Sequence, residues 1–203
     1  ILLLAVVPLF TNWKAASRSG QTDTTDFAID MLNSVEPYGV LVTVGDNDTF
    51  PLWYAQEVLG VRKDVIVANT SLMNTDWYMR QMIRRPTYDY DAAKGPAAYR
   101  GKTWVKPVGP PLKMTMAEAD SIPIGTDLQQ PQLFVKDHIR AVVFPPSHFL
   151  ARADWFVLKM IQDGVRTVYL SRTSGGYAND LGLGGYMLTQ GLARKLMPDS
   201  VRA

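Results

Sequence analysis

Apolar runs alternate with helix-spaced apolar positions along this chain, and the alternation predicts most of its elements. The β-branched run Val40-Leu41-Val42-Thr43-Val44 reads as a buried strand. The loop Gly45-Asp46-Asn47-Asp48-Thr49-Phe50-Pro51 follows it, then an aromatic, helix-spaced segment from Phe50 to Leu59. After Gly60 the pattern repeats, with the run Val65-Ile66-Val67-Ala68 and a second helix that opens near Asn74-Thr75-Asp76-Trp77 and closes before Pro86. Short buried strands alternating with helices of about three turns mark βαβ units. They predict an α/β, Rossmann-like domain with a parallel or mixed sheet and flanking helices. In such sheets ligands gather where strands end and helices begin, which is where the acidic loop falls.

The rest of the chain fills out this plan. Phe27, Ile29, Met31, Leu32 and Val35 predict an amphipathic helix with Asp23 or Thr24 as its N-cap, stopped by Pro37-Tyr38-Gly39. Residues 86–132 are rich in proline and poor in periodicity, and read as a loop-rich insertion with one short helix near Thr115 to Asp120. Leu133-Phe134-Val135 and Ile139 to Phe144 predict a hairpin around Lys136-Asp137-His138. A helix over Leu150 to Gln162 stopped by Gly164 and a strand at Val168-Tyr169-Leu170 come next. Then a glycine-rich loop, Ser174 to Gly185, leads to a last helix over Tyr186 to Leu196, closed by Pro198.

Ile1 to Phe10 is an unbroken apolar run with Trp13 and Lys14 just beyond. A spanning helix needs about 20 apolar residues, so the run reads as the tail of a transmembrane helix. Leu2, Leu3, Leu4, Val6, Val7, Leu9, Phe10 and Trp13 form this anchor, with Lys14 snorkelling. A buried N-terminal helix or a signal-peptide core is the alternative. The expected division is an anchoring segment over residues 1–16 and an α/β domain over residues 17–203 that carries the insertion. Lys14 and Arg18 argue weakly for a cytoplasmic exit.

Composition narrows the function classes. The net charge is +2, without a basic block or interleaved aromatic and basic residues, so nucleic acid is not an expected partner. The chain has no cysteine, which excludes disulfides, thiolate zinc sites and a cysteine nucleophile. Neither a phosphate-binding Gly-Lys-Ser/Thr loop nor a Gly-x-Gly-x-x-Gly fingerprint is present, and no cofactor is expected.

Two stretches remain as candidate chemistry. Asp46-Asn47-Asp48 has the form of a D-x-D motif, whose oxygens suit a hard cation such as Mg²⁺, Mn²⁺ or Ca²⁺. The preferred reading is plainer: Asp48 caps the following helix, and Pro51 falls in its first turn. Trp53, Tyr54, Trp77 and Tyr78 recur at matching places after two strands. Core packing is the preferred account, and an aromatic sugar platform the minority one. His138 and His148 lie beside turn residues, with no Gly-x-Ser-x-Gly elbow to make either a triad member.

Asn47-Asp48-Thr49-Phe50-Pro51-Leu52-Trp53-Tyr54, Gln56-Glu57-Val58, Gly60-Val61-Arg62 and Ser71-Leu72-Met73-Asn74-Thr75-Asp76-Trp77-Tyr78 resemble the region after the membrane spans of bacterial multi-span proteins. Those proteins are related to protein O-mannosyltransferases of the membrane-embedded GT-C glycosyltransferase class. Leu181-Gly182-Leu183 and the stretch Gln190 to Pro198 resemble that family's closing helix. The resemblance implies an extracytoplasmic α/β domain behind a membrane segment, on the periplasmic face of an inner membrane. It assigns no catalytic residue here, because the catalytic acid of GT-C enzymes lies between earlier spans. The expectation is therefore a non-catalytic, membrane-tethered structural or assembly subunit, with lipid and other membrane-protein subunits as partners. The alternative is the soluble domain of a GT-C-type protein glycosyltransferase that assists binding of a glycan or peptide acceptor.

Overall fold

The computed structural model describes residues 2–201. Ile1 lies outside the described residues, as do the side chains of Leu2, Leu3 and Leu4. In chain order the first elements are α1 (Leu2–Ala16), α2 (Asp23–Asn33), β1 (Val40–Thr43), α3 (Asp46–Glu57), β2 (Ile66–Asn69), α4 (Asp76–Arg84) and α5 (Met116–Ser121). Then come β3 (Gly125–Asp127), β4 (Gln132–Lys136), β5 (Ile139–Val143), β6 (Phe149–Ala151) and α6 (Arg152–Asp163). The chain closes with β7 (Val168–Ser171), α7 (Tyr177–Asp180), β8 (Met187–Gln190) and β9 (Ala193–Leu196).

The main sheet is mixed, in the order β2-β1-β7-β9-β8. β1 pairs parallel with β2 (Val40 opposite Ile66) and with β7 (Val40 opposite Val168), while β9 runs antiparallel to both β7 and β8. Successive strand side chains point to opposite faces, and both faces are covered. Leu41, Val67 and Tyr169 pack with Met31 and Leu32 of α2 and Leu52 and Ala55 of α3. Val40, Val42, Ile66, Ala68 and Leu170 pack with Tyr78, Met79 and Met82 of α4 and Phe156 and Val157 of α6. A strand buried on both faces reads as a continuous apolar run, which is why β1 and β2 stand out in the sequence. Each fully buried Leu, Ile or Val among them contributes about 1.5–3 kcal/mol.

The connection through α3 joins β1 to β2 on one face, and the connection through α4 and α6 carries the chain from β2 to β7, on the other side of β1, over the opposite face. Strand order therefore reverses between β1 and β7. The proline-rich insertion packs at the strands' other end. Arg62, Asp64 and Tyr38 sit just before β2 or β1, and Arg62 donates to both Asp64 oxygens and to the Leu32 and Val35 carbonyls at the end of α2. Its guanidinium lies 5.2 Å from the Tyr90 ring and 5.8 Å from the Tyr99 ring of the insertion. Arg166, just before β7, donates to the Tyr38 and Gly109 carbonyls and to Thr87 Oγ1. The strands' C-terminal ends are left for α3, α4 and the loop after β7.

Three expectations need correction. Residues 186–196 form a hairpin, not a helix. Its two-residue turn places Gly191 at φ +58°, where an added Cβ would lie 2.3 Å from Ser34 Oγ. Leu192 N–H donates to Ser34 Oγ at 2.9 Å, and the open edge of β7 takes β9 as its partner. Backbone pairing at a sheet edge overrides the helical spacing of Leu188, Leu192 and Leu196. Second, α3 begins three residues earlier than expected: Gly45, at φ +81°, is its N-cap in place of Asp48, Asp48 is its third residue, and Pro51 lies inside it. The Gly45 carbonyl is held by Thr49 Oγ1 and Asn69 Nδ2, both at 2.8 Å, and that fixes the earlier start. Third, the helix after the glycine-rich turn of residues 174–176 interrupts what reads as one loop: α7 forms, and Tyr177 donates to Asp154 Oδ1 at 2.7 Å.

Other expectations hold. α2, the β4–β5 hairpin, α6 with its left-handed Gly164 stop, and β7 form within a few residues of the expected bounds. α5 forms behind Thr115 in a capping box with Glu118. The expected transmembrane segment is not shown: α1 is a helix of 15 residues, about 22 Å long, and none of the described helices is long and apolar enough to cross a membrane. Val6, Val7, Leu9, Phe10 and Trp13 are all exposed on it.

Candidate functional site

At the reversal point, the loop after β1 meets the loop after β7. Asp48 is 4% exposed and accepts a hydrogen bond from Thr173 Oγ1 across the crevice. Behind it, Thr43 and Thr49 share a hydroxyl hydrogen bond of 2.7 Å, and Asn69 Nδ2 donates to Thr49 Oγ1 at 2.8 Å. Asn69 Oδ1 accepts the Leu72 N–H at 2.9 Å. On the far side, Arg194 of β9 donates to Ser174 Oγ at 2.8 Å and to the Gly175 carbonyl at 3.0 Å. These polar groups satisfy one another and stitch three strand ends together. Asp46 and Asn47 are exposed on the outer side of the turn while Asp48 points inward. Among the described residues no group of three or more His, Asp or Glu side chains is placed to hold a metal ion.

The aromatic candidates gather elsewhere, beside the open edge of β2. Tyr78 is 2% exposed; its hydroxyl donates to the Val67 carbonyl at 3.0 Å and accepts the Asn69 N–H at 3.2 Å. It thus pairs the backbone groups that β2, as an edge strand, turns away from β1, and burial pushes its phenol pKa up. Trp53 of α3 and Trp77 of α4 flank that ring, with centroids 6.3 and 5.5 Å from it. Trp77 is 56% exposed and Tyr54 48%, so the sequence-predicted aromatics divide between core and surface.

Trp53, Trp77 and Tyr78 form one end of a groove between α3 and α4. This end has a volume of about 360 Å³, and Glu57, Gln81 and Arg85 complete its lining. A second hollow of about 440 Å³ shares Glu57, Gln81 and Arg85 and continues to Arg84, Pro86 and Tyr88. The groove is aromatic at one end and cationic at the other. Glu57 is paired with Lys63 at 2.8 Å. Arg85 has no ion-pair partner among the described residues, and its Nε is buried without an acceptor. Arg166 lies near enough that burial first, and Arg85 second, push its pKa down.

Glu57, Gln81 and Arg85 escape a reading of single residue types, yet the sequence carries a signal for them. Trp53 and Glu57 are four apart on one helix, Trp77 and Gln81 are four apart on the next, and Arg85 follows four residues later at that helix's C-terminal cap. Such spacing stacks side chains on one helix face. The two histidines take no part: His138 bonds Asp199 at 2.6 Å in the β4–β5 turn, and His148 stacks on Phe144 at 4.4 Å.

No curated protein and no solved structure matches this chain. Residues 24–106, which run from α2 through α4 into the insertion and contain both walls of the groove, match the family model described as TMEM260-associated domain 2.

Proposed function

We propose that this chain is a non-catalytic, membrane-tethered domain of a glycosyltransferase-like membrane protein related to the protein O-mannosyltransferases, and that it assists binding of a glycan or peptide acceptor on the extracytoplasmic face. The observation that carries the reading is the match of residues 24–106 to a TMEM260-associated domain. It supports the resemblance seen in Asn47 to Tyr54 and Ser71 to Tyr78. Exposed apolar α1, immediately before the matched segment, supports the tether, and an aromatic Trp13 followed by Lys14 suits a membrane interface. We read the fold as Rossmann-like, because β1 lies between two parallel neighbours reached by crossovers on opposite faces. Burial of the larger apolar side chains of α1 at about 1.5–3 kcal/mol each exceeds any screened surface attraction.

A second reading, a structural subunit docked on other membrane proteins, draws support from the β4–β5 hairpin. Leu133 and Val142 are cross-strand partners, 64% and 57% exposed, with Val135 also exposed on the same side.

One experiment tests tether and compartment together. The full chain should stay with membranes through high-salt and carbonate washes, and deletion of residues 1–16 should release it. A cysteine at Gln21, the only thiol in the chain, should react with a membrane-impermeant reagent once the outer barrier is opened. Release of the full chain by salt alone refutes insertion; labelling only after inner-membrane lysis places the domain in the cytoplasm.

A further inference from the structure

We infer that the groove between α3 and α4 binds a pyranose that carries an anionic group, with Trp53 and Trp77 taking the sugar ring and Arg85 taking the anion. The inference rests on the preceding proposal only for the expectation that a glycan is at hand; the geometry stands by itself.

Three features converge. Indole faces with a partly exposed Trp77 are apolar, planar surfaces of the size of a sugar ring's axial C–H face, and Tyr78 forms a rigid floor because its hydroxyl is fixed to the β2 backbone. Glu57 on the α3 wall and Gln81 on the α4 wall supply carboxylate and amide groups suited to hydroxyls. Arg85 lines both halves of the groove and is the unusual member. A guanidinium presents its donors in a fixed planar fork that fits a carboxylate or phosphate. Here the side chain has its Nε buried with no acceptor, has no carboxylate partner among the described residues, and lies near a second arginine, Arg166, that also lacks one among them. A cation without an ion-pair partner among the described residues, where the aromatic and cationic halves of the groove meet and Glu57 is already paired with Lys63, calls for an anion from outside. Trp77 in the first turn of α4 and Arg85 at its C-terminal cap are eight residues apart, about 12 Å along the helix axis, the reach of a short oligosaccharide rather than of one small ion.

The test uses the full chain in detergent micelles, titrated by calorimetry and tryptophan fluorescence. The probes are trigalacturonic acid, its neutral counterpart galactotriose, and the acidic peptide Glu-Glu-Glu. Trigalacturonic acid should bind saturably and about tenfold or more tighter than galactotriose, as a charge-assisted fork predicts. Arg85→Gln should erase that preference while leaving the weak neutral binding. Arg85→Lys should restore part of it, and Trp77→Ala should weaken both sugars. Trp77 is largely exposed and Arg85 has no ion-pair partner among the described residues, so all three variants should keep the wild-type melting temperature, measured alongside. Absence of saturable trigalacturonate binding, equal affinity for the acidic peptide, or a charge preference that survives Arg85→Gln overturns the inference. Membrane retention is read in a separate experiment, so failure here and failure of the tether are distinguishable.

Discussion

Tyr78→Phe removes a single oxygen and tests how the open edge of β2 is protected. The ring stays, with its contacts to Trp53 and Trp77 at 6.3 and 5.5 Å. What goes is the hydroxyl that donates to the Val67 carbonyl and accepts the Asn69 N–H. Both backbone residues are fully buried, at 0% exposure, so neither group has ready access to water. A buried polar group left without its partner costs about 1–3 kcal/mol, and two such groups, with some relaxation, cost about 2–4 kcal/mol in all. For a chain of this length, 1 kcal/mol moves the melting temperature by about 2–4 °C, so a fall of about 5–15 °C is expected. Calorimetry measures the fall, and amide hydrogen exchange locates it: Asn69 should lose protection well beyond that of Leu41 in β1. A melting temperature within about 2 °C of wild type, with Asn69 still protected, would show that the hydroxyl does not guard this edge.

At the strand-end crevice, Asp48→Ala should cost about 1–2 kcal/mol, and Asp48→Asn much less, because the amide oxygen still accepts from Thr173. Thr173→Val should cost little once Asp48 is already alanine, and a double-mutant cycle by chemical denaturation checks the coupling. Millimolar Mg²⁺, Mn²⁺ or Ca²⁺ should leave the wild-type melting temperature unchanged; a rise that disappears in Asp46→Asn/Asp48→Asn would establish a cation site there. Burial raises the Asp154 carboxyl pKa in the fold, against hydrogen bonds from Tyr177 and from the Ala151 N–H that lower it. The unfolded chain thus loses this proton at lower pH than the folded one, so stability from this group falls as pH rises from the ordinary carboxylate range through the raised folded value. Asp154→Asn can still accept from Ala151 and donate to the Tyr177 oxygen, so its melting temperature should gain on wild type between acid and neutral pH; a pH-independent difference refutes the linkage.

The sequence by itself determined the elements whose periodicity is local. β1 and β2 are legible because both faces of the sheet are covered and every residue in them is apolar or buried. α2 and α6 are legible because one stripe faces the sheet, and α5 because Thr115 and Glu118 close a capping box three residues apart. Those signals need no knowledge of what lies across the sheet. Tertiary structure decided the rest wherever a backbone edge or a distant partner had to be satisfied. The hairpin of residues 187–196 exists because β7 needs a neighbour and Ser34, far away in sequence, grips its turn. Asp48 turns inward because Thr173, 125 residues on, offers a hydroxyl across the reversal point. The groove follows the same logic. Trp53 and Trp77 are conspicuous in the sequence, but only the folding of α3 and α4 around the edge of β2 brings them to one hollow with Arg85, since a side chain's neighbours across a sheet are set by topology and not by spacing along the chain.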